Sequence, residues 1–370
     1  MRRLIIALLL LLFLSGTAQA NPIAAPVIDW EAEAVGVDEL ERAVPEGAME
    51  LLDGTELGIG TSFDEALRRI LGNLTERLVG VFRQAARSAA AVMVIAVLIG
   101  LVNGMYEGSG GTLDFVPLVG VLAVAGVAVG SSGAFIGLGA STLMDLEIFS
   151  KSLFPAMAAA STAGGALTSA AVKYAGTVLF LDMLITLTNR VIMPLIYAYI
   201  AAAIGDAAFG GDGLKGAKNL IKWVTGVLIT AVMLAFVGYL TVTGVVAGSA
   251  DVLTTRVAKT TISTVLPVVG GIVADAAETV LTGAMLIRNG IGVIGLLVIL
   301  AVCLIPIAQL GAHYIMFKAA AGLSGAVTDK RVSGLIGDLG TAFGMVMGLT
   351  GAGAMMLFFS IISMMRMVIR

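Results

Sequence analysis

The stretch from Asp251 to Gly292 most constrains what this chain can fold into, because it carries charge between two long apolar runs. The charged side chains in its second half are Asp275, Glu278 and Arg288. A charged group at membrane depth costs about 2.5–3.5 kcal/mol on insertion scales, so such groups usually face a protein interior or a water-filled cavity. We therefore expect these side chains inside a membrane bundle rather than against lipid.

The same stretch contains residues that disfavour a regular helix. Pro267 and the pair Gly270-Gly271 interrupt the apolar segment LPVVGGIV. Irregular backbone is tolerated at membrane depth only where protein or water covers it. The stretch thus predicts a broken, amphipathic hairpin packed within the bundle.

Composition supports the same class of protein. Apolar residues make up 58% of the chain, charged residues 13%, and the mean hydropathy is +1.02, whereas soluble domains carry roughly 25% charge. The 47 glycines are typical of helices that approach closely in a bilayer. We expect an all-α polytopic membrane protein that forms a helical bundle. Nothing in the charge pattern suggests nucleic-acid binding, and the single cysteine, Cys303, excludes an intrachain disulfide.

The first 20 residues have the pattern of a secretory signal peptide. A basic start is followed by a short apolar core and by Ala18-Gln19-Ala20; the alternative is an uncleaved anchor. Residues 21–60 are acidic and have little periodicity, and they predict an extracytoplasmic segment. This placement conflicts with the positive-inside tendency, because arginines precede the first span.

Residues 61–87 predict an amphipathic helix, since apolar residues recur at helical spacing with arginines between them. Such a helix either lies on the membrane surface or packs on the bundle. Residues 88–141 predict the first two membrane spans, joined by a polar turn at 104–114.

Two later segments follow the same order of features. Pro155 and Pro194 are separated by 39 residues, as are Pro267 and Pro306, and a shift of 112 residues superposes the two segments. We expect an internal duplication, with membrane repeat A at 142–250 and membrane repeat B at 251–370, and with broken or re-entrant segments at the first proline of each repeat. Repeats with broken helices recur in transporter folds. The residues expected to break helices are Pro155, Pro194, Pro267, Gly270, Gly271 and Pro306.

Polar residues recur on one side of the expected helices. Asp182, Thr186 and Asn189 follow an i, i+4, i+7 spacing, which places them in one stripe, and Asp275 and Glu278 share one side of a later helix. These stripes either line a hydrated path or hold helices together in the core. The candidate intramembrane polar residues are Lys173, Asp182, Asn189, Arg190, Asp275, Glu278 and Arg288.

The run TVLPVVGGIVADAAETVLTGAMLIRNGIGVIGLLVIL resembles the stage III sporulation protein AE family, as does the earlier run SLFPAMAAASTAGGALTSAA. The resemblance covers most of the chain and is strongest over residues 256–306. It implies a non-enzymatic subunit of an assembly in endospore-forming bacteria. That assembly spans the mother-cell membrane facing the forespore and forms a transenvelope channel with partner subunits.

An intramembrane enzyme is the weakest alternative. Ser132 lies in a G-S-S-G run and His313 is the single histidine, but no zinc motif, cysteine pair or P-loop accompanies them. We expect His313 to lie at a span end beside Tyr314 and Lys318. We expect no catalytic residue, no metal and no cofactor. The partners expected are membrane lipid and other subunits. A secondary transporter and a non-conducting scaffold remain alternatives to a conduit.

Overall fold

The computed structural model describes residues 40, 42–52, 63–107, 115–163, 166–209, 212–265 and 270–366, without the side chains of 76, 128–132, 167, 212–213, 244–265 and 270–281. The regular elements in these ranges are helical, which confirms the all-α class. They are α1 (Glu46–Leu52), α2 (Phe63–Glu107), α3 (Phe115–Ala163), α4 (Leu167–Leu187), a π-helical segment (Thr188–Ile192), α5 (Met193–Phe209), α6 (Asp212–Val265), α7 (Gly270–Ser324) and α8 (Lys330–Met365).

Five helical stretches are long and apolar enough to cross a membrane, as expected for a polytopic protein. A shorter apolar stretch, Phe115–Val127, begins α3. The five stretches are Phe63–Met105, Thr168–Phe209, Leu214–Thr243, Thr282–Ser324 and Lys330–Met365.

The helices α7 and α8 form an antiparallel pair at the centre of the bundle. Lys318 of α7 contacts the first turns of α8 at Gly337, and Arg288 of α7 contacts its last turn at Met365. We call these two ends of the bundle the Asp338 end and the Arg288 end. Residues 294–303 of α7 are buried almost all round, as in a helix enclosed by other helices.

The other helices pack around this pair with alternating direction. On α3, Gly120 lies against Val332 and Leu143 lies against Gly353, so α3 runs parallel to α8. A Cβ atom at Gly353 would lie 2.3 Å from Leu143 Cδ2 and 3.7 Å from Leu184 Cδ2. The absence of a side chain at Gly353 therefore lets α3, α4 and α8 approach closely.

Two of the expected helix breakers do not break helices. Pro155 lies inside α3 and Pro306 lies inside α7. The flanking Phe154 and Met157 are fully buried, so packing against neighbouring helices holds α3 helical on both sides of Pro155. α3 ends at Ala163, eight residues beyond Pro155.

The remaining expected breakers lie at helix irregularities or outside the described part. Pro194 is the second residue of α5 and follows the π-helical segment; its ring would crowd the carbonyl of Arg190 in a regular α-helix. α6 ends at Val265, and Gly270 and Gly271 begin α7. Pro267 and the predicted break around it lie outside the described residues.

The predicted boundaries at 87/88, 141/142 and 250/251 fall inside the continuous helices α2, α3 and α6. Residues 63–87 and the first span form one helix, which packs on α7 through Ala85 and Ala312. Under the 112-residue shift the α5–α6 and α7–α8 connections nearly coincide, whereas the α3–α4 connection falls inside α7. The duplication therefore stays a prediction.

The short helix α1 docks on α2 through polar contacts. Asn73 Nδ2 donates to the carbonyl oxygen of Leu51 at 3.2 Å, and the guanidinium of Arg77 pairs with the carboxylate of Glu50. This hydrogen bond and the charge of Arg77 hold the pKa of Glu50 below its usual value. Leu51 and Ala48 of α1 are completely buried, so α1 belongs to the packed core.

Candidate functional site

A charged network joins α5, α6 and α8 at the Asp338 end. Lys218 Nζ donates to Asp206 Oδ2 and to Asp338 Oδ2, both at 2.6 Å. The hydroxyl of Tyr199 donates to Asp338 Oδ1 at 3.0 Å. The side chains of Lys218, Asp206 and Asp338 are only 15–19% exposed. Charge-assisted bonds of this kind are stronger than neutral ones, so the network fixes three helices to one another.

A second lysine ties α7 to the same region of α8. Lys318 Nζ donates to the carbonyl oxygen of Gly337 at 2.7 Å and to Thr341 Oγ1 at 2.8 Å. None of the network residues was among the sequence candidates. Lys218 and Asp338 are 120 residues apart, and nothing in their local sequence indicates the pairing.

At the Arg288 end, two buried cations meet the last turn of α8. Lys173 Nζ donates to the carbonyl oxygen of Ser363 at 2.6 Å, and Arg288 Nη2 donates to that of Met365 at 3.2 Å. Both cations are at most 5% exposed. The last carbonyls of a helix carry partial negative charge, so cations there are stabilising. The structure thus brings together two of the predicted polar residues, which cap α8.

The two ends are separated by about one bilayer. Asp338 and Ser363 are 25 residues apart on α8, which corresponds to about 38 Å of helix. A bilayer measures about 30 Å across its hydrocarbon core and about 40–45 Å with its headgroups. At the Asp338 end, Trp223 is 64% exposed and Tyr197 is 50% exposed, as in the aromatic belts at membrane interfaces.

A polar face lies on the outside of the bundle between these ends. We define it by six residues of α3, α4 and the π-helical segment: Glu147, Lys151, Asp182, Thr186, Asn189 and Arg190. Lys151 Nζ pairs with Glu147 Oε1 at 2.7 Å, and Lys151 also lies within electrostatic reach of Asp182. The four residues from Asp182 to Arg190 are all exposed. They therefore do not hold helices together inside this chain.

The polar face crosses the middle of the bundle. Arg190 follows Lys173 by 17 residues and precedes Asp206 by 16, so it lies about 25 Å along the helix from each end. The predicted partner stripe of Asp275 and Glu278 lies on α7, where these side chains are outside the described part. The structure therefore gives only one of the two predicted stripes a position.

Asn189 and Arg190 belong to the π-helical segment, which no sequence feature indicated. In this segment Thr188 is buried and its hydroxyl donates to the carbonyl oxygen of Leu184 at 2.7 Å. Single π-helical turns interrupt α-helices mostly at functional sites. The segment keeps Thr188 inside the bundle and presents Asn189 and Arg190 outside it.

The single histidine is buried rather than placed at a span end, which corrects the sequence expectation. His313 is 1% exposed, and its ring lies 4.0 Å from that of Phe135 and 5.5 Å from that of Phe343. It is enclosed because α3 and α8 pack over α7 at this position. Cys303 is also buried, and the side chain of Ser132 lies outside the described part.

Comparisons with known proteins bear on the whole of this arrangement. The model of a family described as stage III sporulation protein AE matches residues 57–367. The stage III sporulation protein AE of Bacillus subtilis (strain 168) is 22% identical over 197 residues, which are 53% of this chain and 49% of that relative. The chain thus matches about half the length of this curated relative. No solved structure matches the chain.

Proposed function

This chain belongs to the stage III sporulation protein AE family, and we propose that it is a membrane subunit of a sporulation transenvelope channel. In this proposal it contributes to the conduit in the mother-cell membrane that faces the forespore, together with other subunits. It acts by positioning polar side chains across the bilayer, and it performs no catalysis.

The polar face is the observation that carries the proposal. An isolated Asp182 or Arg190 facing lipid at mid-depth would cost about 2.5–3.5 kcal/mol. Both are exposed on the surface of this chain, with Thr186 and Asn189 between them. A water-filled conduit beside α3 and α4 removes that cost, because the charged groups then remain hydrated.

A self-contained transporter fits the described residues less well. Such a protein needs charged groups that line its own interior and change partners during transport. The largely buried carboxylates of Asp206 and Asp338 are instead paired with Lys218 at one end of the bundle. The polar groups at mid-depth lie on the outer surface, where other subunits can complete a path.

Thiol accessibility tests the conduit. In a Cys303→Ala background, Thr186→Cys and Asn189→Cys report on the polar face, and Leu234→Cys reports on an apolar surface position that is 68% exposed. A charged, membrane-impermeant thiol reagent is added to membranes of sporulating cells that contain the native partners. We expect reaction at positions 186 and 189 and none at 234, because the reagent reaches only hydrated thiols.

A scaffold predicts a different result from the same variants. If a partner protein covers the polar face without enclosing water, positions 186 and 189 stay unreactive although the protein is assembled and sporulation is normal. That outcome would reject the conduit in favour of the scaffold.

We also propose that residues 1–20 are cleaved and that residues 21–60 are extracytoplasmic. The Ala18-Gln19-Ala20 motif supports the cleavage. N-terminal sequencing of the mature protein should report Asn21, and protease added to spheroplasts should remove the acidic segment. A mature chain that starts at Met1, or an acidic segment that resists the protease, would contradict these assignments.

A further inference from the structure

Two exposed lysines at the Asp338 end have no carboxylate of their own. The nearby carboxylates of Asp206 and Asp338 are both occupied by Lys218. Lys222 and Lys318 are exposed, and neither forms an ion pair with any of the residues that the structure describes. Two cations without a counter-charge in a bundle end indicate an anion from outside the chain.

The two lysines are held close together by the packing of α6 and α7 on α8. Lys318 Nζ is fixed by the carbonyl oxygen of Gly337 and by Thr341 Oγ1. Lys222 lies one helical turn after Lys218, which binds the adjacent Asp338. Lys222 is near enough to Lys318 for the two positive charges to repel each other. A ligand with at least one negative charge between them relieves this repulsion.

The depth of the pair identifies the kind of ligand. Trp223, which follows Lys222 directly, is 64% exposed, and Leu220 is 59% exposed. Exposed aromatic and apolar side chains beside lysines are typical of the membrane interface, where lipid phosphates lie. A soluble anion would leave Trp223 and Leu220 without apolar contacts, whereas a phospholipid supplies both charge and acyl chain.

We propose that Lys222 and Lys318 together bind the phosphate of an anionic phospholipid headgroup in the groove between α6 and α7. Lys318 is positioned by α8, Lys222 approaches from α6, and the acyl chains pass along the surface that carries Trp223. The site lies away from the polar face and does not depend on conduction.

Native mass spectrometry of the full-length protein, released from membranes and titrated with phosphatidylglycerol or phosphatidylcholine, tests the site. We expect one tightly retained phosphatidylglycerol per chain. The double variant Lys222→Gln/Lys318→Gln should retain it on the order of 10- to 30-fold more weakly, from roughly 1 kcal/mol per basic residue near the membrane surface. Thermal unfolding of each variant shows that the protein remains folded.

The matched control is Lys330→Gln/Arg331→Gln, which removes the same charge from exposed positions at the start of α8. Retention should be unchanged in this control. Equal retention of phosphatidylcholine, or an equal loss in the control, would overturn the site. Displacement of the lipid by inorganic phosphate, beyond the effect of chloride at equal ionic strength, would assign the lysines to a free phosphate ion instead.

Discussion

Tyr239 of α6 lies directly against Gly176 of α4, and its hydroxyl donates a hydrogen bond of 2.7 Å to the carbonyl oxygen of Val172. A Cβ atom at position 176 would lie 1.9 Å from the ring. The two helices therefore meet where one residue has no side chain and the other supplies an aromatic ring. The contact fixes α6 against α4 near the Arg288 end.

Gly176→Ala should destabilise the bundle by about 1–3 kcal/mol, because the ring must move and its hydrogen bond is lost. Gly238→Ala is the control, since nothing lies within 4 Å of a Cβ atom there. It should be neutral or slightly stabilising, because alanine favours helix. Thermal unfolding in detergent measures both variants. Equal midpoints for the two would contradict the close contact.

Lys218→Leu should destabilise the protein by about 2–3 kcal/mol, because it leaves the largely buried carboxylates of Asp206 and Asp338 without a cation. Lys215→Leu removes an exposed lysine one turn earlier and should change the unfolding free energy by less than about 0.5 kcal/mol. Adding Asp338→Asn to Lys218→Leu should restore part of the loss. A loss no larger than that of Lys215→Leu would show that the network contributes little.

The double variant Asp182→Leu/Arg190→Leu should fold and insert normally but abolish or strongly reduce sporulation. Both side chains are exposed, so their removal costs no packing, while it makes the polar face apolar. Counts of heat-resistant spores at equal protein level measure the effect. The matched pair Asp64→Leu/Arg68→Leu, exposed at the start of α2, should leave sporulation intact. Normal sporulation in the first variant would dissociate the polar face from function.

The docking of α1 on α2 should weaken in acid. Arg77 lowers the pKa of Glu50 in the folded protein, so the stabilisation is complete above the ordinary glutamate pKa of about 4.3 and is lost as the pH falls through the lowered value. Spin labels at Met49→Cys and Val79→Cys, in the Cys303→Ala background, should move apart below about pH 4. Glu50→Gln should remove this pH dependence, and an unchanged pH response in that variant would assign it to another group.

The class of fold was predictable because it depends on amounts of apolar surface. Runs such as 291–312 are too apolar for a soluble domain. Lys173 and Arg288 were recognisable as special because charges stand out in apolar sequence, and the structure places both at the end of α8. Asp182 was recognisable for the same reason. Its stripe was predictable from helical spacing, but the direction in which the stripe faces depends on neighbouring helices.

The errors have the same physical origin. Pro155 and Pro306 disfavour helix locally, yet contacts from distant segments hold both helices together. The Lys218–Asp338 pair depends on two helices that meet only in the folded bundle. Local preference is a weak prior when tertiary contacts oppose it.

The π-helical segment sets the rotational phase between α4 and α5. The inward-facing positions Leu184, Thr188, Ile192 and Ile196 recur every four residues, whereas an α-helix repeats every 3.6, so a regular helix would turn these positions progressively out of the core. One wide turn absorbs the surplus residue. With it, Tyr199 lies about 160° around the helix axis from Asp182; without it, the angle would be about 100°. One inserted residue thus lets a single rod present charge outwards in one half and bind the Asp338 network inwards in the other.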